Sequence, residues 1–171
     1  MRGAYSPLLC YKKNKTMILK DTVKQIVESF LSNKDYYLVD IIVTKDNRIS
    51  VEIDHFEGVS IDFCIELSKE IESGLDRETE DYELEVSSAG LTEPFKVLKQ
   101  YEKNIGNEVE VLTKAGIKMT GVLKSSDSEK ITLQLEKQIK PEGAKRKITV
   151  SEDTEIPFEN IKSTKYIIRF K

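Results

Sequence analysis

Leu19, Val23, Ile26, Val27, Phe30 and Leu31 recur at the three-to-four-residue spacing of one helical face, with lysines and acids between them. That pattern predicts a first helix, ended by Asn33 and Lys34. The period then drops to two. Tyr37, Val39, Ile41 and Val43 alternate with their neighbours, Lys45-Asp46-Asn47-Arg48 supplies turn residues, and Ile49, Val51 and Ile53 resume the alternation, which predicts a hairpin. Gly58 precedes a second helical stretch. Ser60 is placed to cap it, Asp62 suits the positive end of its dipole, and Ile61, Cys64, Ile65, Ser68, Ile71 and Leu75 mark its expected buried side. Tyr82, Leu84 and Val86 alternate again as a third strand. The connection through the second helix is long enough for parallel pairing, right-handed if so. The expected unit is a two-layer αββαβ arrangement, both helices on one face of a three-stranded sheet.

The third strand runs into Ser87-Ser88-Ala89-Gly90, small residues that turn the chain, and Pro94 fits the first turn of a short helix to Lys103. Short alternating runs follow at Val109/Val111, Met119/Gly121/Leu123, Ile131/Leu133/Leu135, Ile148/Val150 and Tyr166/Ile168/Phe170, with a tight turn near Pro157–Ile161. Five such strands suit a small closed barrel, which leaves no open edge. The expected organisation is therefore an extension at 1–16, an α+β domain at 17–90 and a β-barrel domain at 91–171.

Charge divides along the same corner. Residues 17–90 hold 7 basic and 18 acidic side chains, while residues 91–171 hold 16 and 12. With Val39, Val51, Ile53, Leu84 and Val86 facing the helices, Asp40, Glu52, Asp54, Glu83 and Glu85 are expected on the opposite sheet face. Such a face is either simply solvated or a docking surface for a basic protein; carboxylates disfavour direct RNA contact there. The concentrated basic stretch is Lys137, Lys140, Lys145, Arg146 and Lys147, around Pro141 and Gly143. It reads as a solubilising hairpin tip or as a phosphate-contacting one, without the aromatic platform that base readout needs. Residues 1–16 carry four basic residues and no acid, too little apolar sequence for a secretory signal, and read as an extension before Met17 rather than an RNA-binding arm.

Catalytic chemistry has little support in the sequence. His55 and Cys64 are the one thiol–imidazole candidate, but Cys64 falls on the apolar side of a helix, where cysteine usually fills core. One histidine and two cysteines cannot close a structural zinc site, and no phosphate-binding glycine loop occurs. No cofactor, small-molecule substrate or membrane span is expected, and the two cysteines suggest no disulfide framework, which fits a reduced cytoplasm.

The wording of the corner is more specific than its physics. Val86-Ser87-Ser88-Ala89-Gly90-Leu91, followed by Pro94, resembles the signature of the RimP family of ribosome maturation factors. Val51-Glu52-Ile53-Asp54 and Gly58-Val59-Ser60-Ile61-Asp62-Phe63-Cys64 upstream, and Gly106-Asn107-Glu108-Val109 and Ile156-Pro157-Phe158-Glu159-Asn160-Ile161 downstream, extend the likeness over Met17 to Lys171. Ala89, Thr92 and Glu93 stand where that signature has Pro, Asp and Arg. The resemblance implies an SH3-like (Sm-like) barrel for the second domain. It also implies a non-enzymatic assembly factor, monomeric when free, that binds protein and rRNA of the immature small ribosomal subunit. In that context the basic stretch at 137–147 reads as an rRNA contact. The alternative is a general Sm-like RNA-binding module acting outside the ribosome.

Overall fold

The computed structural model describes residues 18–78, 81–139 and 148–168, with side chains at all of these except 137–139, 148 and 149. The extension at 1–16 lies outside the described residues.

Helix α1 (Lys20–Leu31) buries Val23, Val27 and Leu31. Leu19, expected on the same stripe, sits at the helix cap and is 61% exposed. Strands β1 (Tyr36–Val43) and β2 (Arg48–His55) form the expected antiparallel hairpin, and β3 (Glu83–Ser88) joins β2 in parallel, giving the order β1-β2-β3. The hairpin turn uses Asn47 at φ 56°, a left-handed conformation that asparagine tolerates better than most residues. Its side-chain amide donates to Asp81 O at 3.3 Å, and its carbonyl accepts from Glu83 N at 3.1 Å, so one turn residue also fixes the start of β3.

Helix α2 (Ile61–Gly74) makes the crossover. Ser60 Oγ accepts from Phe63 N at 3.2 Å and Asp62 lies in the first turn, both as expected. The buried stripe is the expected one only in part: Ile71 is buried and Cys64 and Leu75 pack on the core, but Phe63 and Leu67 face inward while Ile61 and Ile65 are 80% and 47% exposed. Two adjacent stripes share the helical period, and the aromatic one wins. Phe63 stacks on Tyr36 with ring centroids 3.5 Å apart and meets Phe30 at 5.7 Å. Both helices, β2 and the inner face of β1 and β3 share one hydrophobic core.

A bulge in β1 changes which residues face that core. The pairing shifts between Leu38 and Asp40, so Tyr36 and Leu38 join Ile41 and Val43 at the core. Tyr37 and Val39 are buried but belong to neither core cluster, against the expectation that Val39 faces the helices.

The second sheet comprises β4 (Glu108–Thr113), β5 (Lys118–Ser126), β6 (Lys130–Ile139), β7 (Ile148–Pro157) and β8 (Ile161–Tyr166), in the order β7-β6-β5-β4-β8. Its core is Tyr101, Val109, Val111, Leu123, Ile131, Leu133, Ile156 and Ile161. Gly121 lets β5 approach β6: a Cβ there would lie 2.3 Å from Gln134 O. The expected closed barrel is not formed among the described residues, because β7 and β8 remain the two edges of an open sheet. Pro157 supplies no amide, and the turn at Phe158–Asn160 carries the chain to the far edge beside β4 instead of back along β7. The last strand also begins earlier than expected, since Ile161 and the fully buried Thr164 enter the sheet directly after that turn.

Candidate functional site

The corner between the sheets is built differently from its sequence pattern. Ala89 N still donates to Ile53 O at 2.9 Å, extending the β2–β3 ladder, and Glu93 N closes a turn onto Gly90 O at 3.1 Å. Helix α3 spans only Leu98–Lys103, not the stretch from Pro94. Phe95 N is held by Thr164 O at 2.8 Å, which keeps the preceding residues out of the helix. The buried Gln100 then caps the helix from within: its Oε1 accepts from Lys96 N at 2.7 Å and Val97 N at 3.2 Å. Of the signature residues, Val86 packs on the first core and Leu91 is 65% exposed. Ser88, Ala89, Gly90 and Leu91 line one wall of a cleft of about 250 Å³, with Asp54, Phe95 and Lys103 on its other walls.

Two lysines of this segment reach back onto the first sheet. Asp40 and Glu52 are cross-strand partners, and Lys96 Nζ donates to Asp40 Oδ2 at 2.9 Å and to Glu52 Oε2 at 2.7 Å. Lys103 Nζ donates to Asp54 Oδ1 at 2.8 Å, while the Tyr37 hydroxyl donates to Asp54 Oδ2 at 3.0 Å and His55 N to Oδ1 at 2.8 Å. The Lys96 hydrogen bond holds the Asp40 carboxyl below its ordinary value. The bond to Glu52, then that to Asp40, raises the Lys96 ammonium above its own. Burial pushes the Tyr37 phenol up, and the neighbouring Asp54 carboxylate adds to it. Three of the five carboxylates expected on this face are thus held by lysines of the chain itself, Asp40 and Glu52 sharing Lys96 and Lys20 Nζ also lying 3.8 Å from Asp40 Oδ1.

The other two differ. Glu83 pairs with Arg48 Nε at 2.8 Å across the β2–β3 ladder, with both side chains well exposed, and Glu85 is exposed. The basic stretch is a separate feature. Lys137 lies on β6 opposite Val150; its side chain, and Lys140, Lys145, Arg146 and Lys147, lie outside the described residues.

His55 Nδ1 accepts from Glu57 N at 3.0 Å and its ring lies against Tyr36, whereas Cys64 packs on the first core, its thiol raised by burial. Among the described residues no His, Cys, Asp or Glu cluster could hold a metal ion, and no helix is long and apolar enough to cross a membrane.

Sequence reasoning missed Lys96, Lys103, Tyr37 and Gln100. The signal available was indirect: a sheet face with five acids on neighbouring strands needs cations, and on the sheet itself Arg48 alone pairs with one of them.

The RimP N-terminal domain profile matches residues 26–92, the stretch from mid-α1 through the corner. Beyond that domain, the chain is 44% identical over 152 residues to a protein named ribosome maturation factor RimP from Porphyromonas gingivalis, covering 89% of this chain and all of the relative. Proteins of the same name from Christiangramia forsetii and Flavobacterium psychrophilum are 38% and 33% identical over 155 residues, 90% of this chain and again all of each relative. The chain belongs to the RimP family of ribosome maturation factors.

Proposed function

We propose that the protein binds the immature small ribosomal subunit and supports its assembly by occupying a site, without catalysing a reaction. The observation that carries this reading is full-length similarity to proteins named ribosome maturation factors. Such a factor stabilises one arrangement of RNA and protein until later components join, which needs binding and release but no bond chemistry. In this reading residues 17–90 and 91–171 act as separate domains, the second a variant of the SH3-like barrel, in the cytoplasm. The first docks a basic ribosomal protein on its acidic face, through Glu83 and Glu85 directly and through Asp40, Glu52 and Asp54 once Lys96 and Lys103 give way. The second contributes affinity for rRNA through Lys137, Lys140, Lys145, Arg146 and Lys147.

Cosedimentation with immature and mature small subunits tests the reading, with retention on the immature particle expected. Replacing Lys145, Arg146 and Lys147 by alanine should then weaken binding and flatten the dependence of log affinity on log salt by up to about 3 units. Equal binding to naked RNA of any origin would favour a general Sm-like module. The outer edges of β7 and β8, without a further strand among the described residues, give that reading its one structural support, since ring-forming modules associate through such edges.

A further inference from the structure

We infer that the outer edge of β3 accepts an extended basic segment of a partner protein as a fourth strand of the first sheet. β3 is last in the order β1-β2-β3, and among the described residues no strand pairs with its far side. Glu83 N and Ala89 N donate towards β2, to Asn47 O and Ile53 O. By strand alternation Leu84, Val86 and Ser88 present their amides and carbonyls to the open edge.

The two faces of this edge differ in chemistry. Leu84 and Val86 pack on the first core yet remain only partly buried, because no strand lies beyond them. Glu83 and Glu85 stand exposed on the other face. A strand that alternates apolar and basic residues would cover the first pair and neutralise the second. The molecule already contains the template: on the occupied side of β3, Arg48 is the direct cross-strand neighbour of Glu83 and pairs with it at 2.8 Å. A cation on an added strand would repeat that geometry from the open side. A second copy of β3 fits poorly, since it would bring Glu83 and Glu85 against like charges. Nucleic acid offers no main chain of the right kind and is repelled by the carboxylates. The proposal rests on the reading that a basic protein docks on this unit, and adds the mode of docking.

The test uses the full chain and a capped ten-residue peptide alternating lysine and valine, compared with the same peptide N-methylated at every second residue, which keeps the charge and blocks ladder formation. Amide hydrogen exchange is read residue by residue. The parent peptide should slow exchange at Leu84 and Val86 at least tenfold, the methylated one should not, and Glu83→Gln with Glu85→Gln should weaken binding several-fold. Equal binding by both peptides overturns strand addition while leaving charge-driven docking intact. Binding by neither, with cosedimentation on the immature subunit unaffected, overturns strand addition alone. Protection of Leu84 and Val86 in the free chain that disappears on truncation to residues 17–171 would mean the chain's own first segment fills the edge, and also overturns it.

Discussion

Lys103 on α3 and Asp54 on β2 meet at 2.8 Å across 49 positions of sequence, with side chains only 21% and 10% exposed. This pair is the more enclosed of the two lysine links from the α3 segment to the first sheet. Replacing Lys103 by methionine leaves a nearly buried carboxylate short of its cation and should cost about 1–3 kcal/mol in denaturant unfolding. Adding Asp54→Asn should recover part of that loss, and a double-mutant cycle measures the coupling. Strict additivity of the two changes would show that the pair is incidental.

Lys96 links the same units more openly, with its own side chain 34% exposed and those of its partners 29% and 26%. Asp40 lies below its ordinary 3.8, so its share of stability is complete above that value and is lost as pH falls through the depressed one. Lys96 lies above its ordinary 10.5, so its share is complete below that value and is lost as pH rises through the raised one. A Lys96→Met variant should therefore be less stable than the parent near neutrality, with the deficit shrinking towards both limits. Urea midpoints across pH check this, and about 1 M salt should narrow the neutral gap.

Gly121 and Gly74 make contrasting predictions. A Cβ at Gly121 would meet the backbone oxygen of Gln134 at 2.3 Å, and Gly121→Ala should destabilise by about 1–3 kcal/mol because neither strand can yield locally. A Cβ at Gly74 would meet the Ile26 side chain, closest at its movable end, Cδ1, at 2.6 Å. Gly74→Ala should fall within about 1 kcal/mol of neutral, as helix propensity offsets the crowding. Thermal unfolding of the two variants decides.

Cys64 is partly buried on α2 and its thiol is raised by that burial. Alkylation at pH 7 should be at least tenfold slower in the folded chain than in urea, read by peptide mass mapping at Cys64. Rapid alkylation without unfolding would instead mark a reactive thiol and reopen the enzymatic reading.

Much of the first unit was legible because each element carried its own period. The Ser60 cap, the hairpin around Asn47 and the parallel β3 each follow from a few neighbouring residues. What escaped depends on partners distant in sequence. A bulge between Leu38 and Asp40 is decided by pairing with β2, and no alternation in β1 alone announces it. The choice between the Ile61–Ile65 stripe and the Phe63–Leu67 stripe is made by Tyr36 and Phe30. The start of α3 depends on a side chain, Gln100, folding back on its own first turn. The acidic face was legible as a pattern of charge, but Lys96 and Lys103, which hydrogen-bond three of its carboxylates, come from 44 to 56 residues further along.

That separation also sets an order in time. Asp40, Glu52 and Asp54 all precede Lys96 and Lys103, and β3, which completes their sheet, ends at Ser88. During synthesis the first sheet can thus form before either lysine is in place. At that stage Asp40 has Lys20 as its neighbouring cation, while Glu52 and Asp54 still lack Lys96 and Lys103, and phosphate repels such carboxylates. Lys96 and Lys103 lower that charge once they are made, so the same carboxylates form a more acidic surface early in synthesis than in the finished chain.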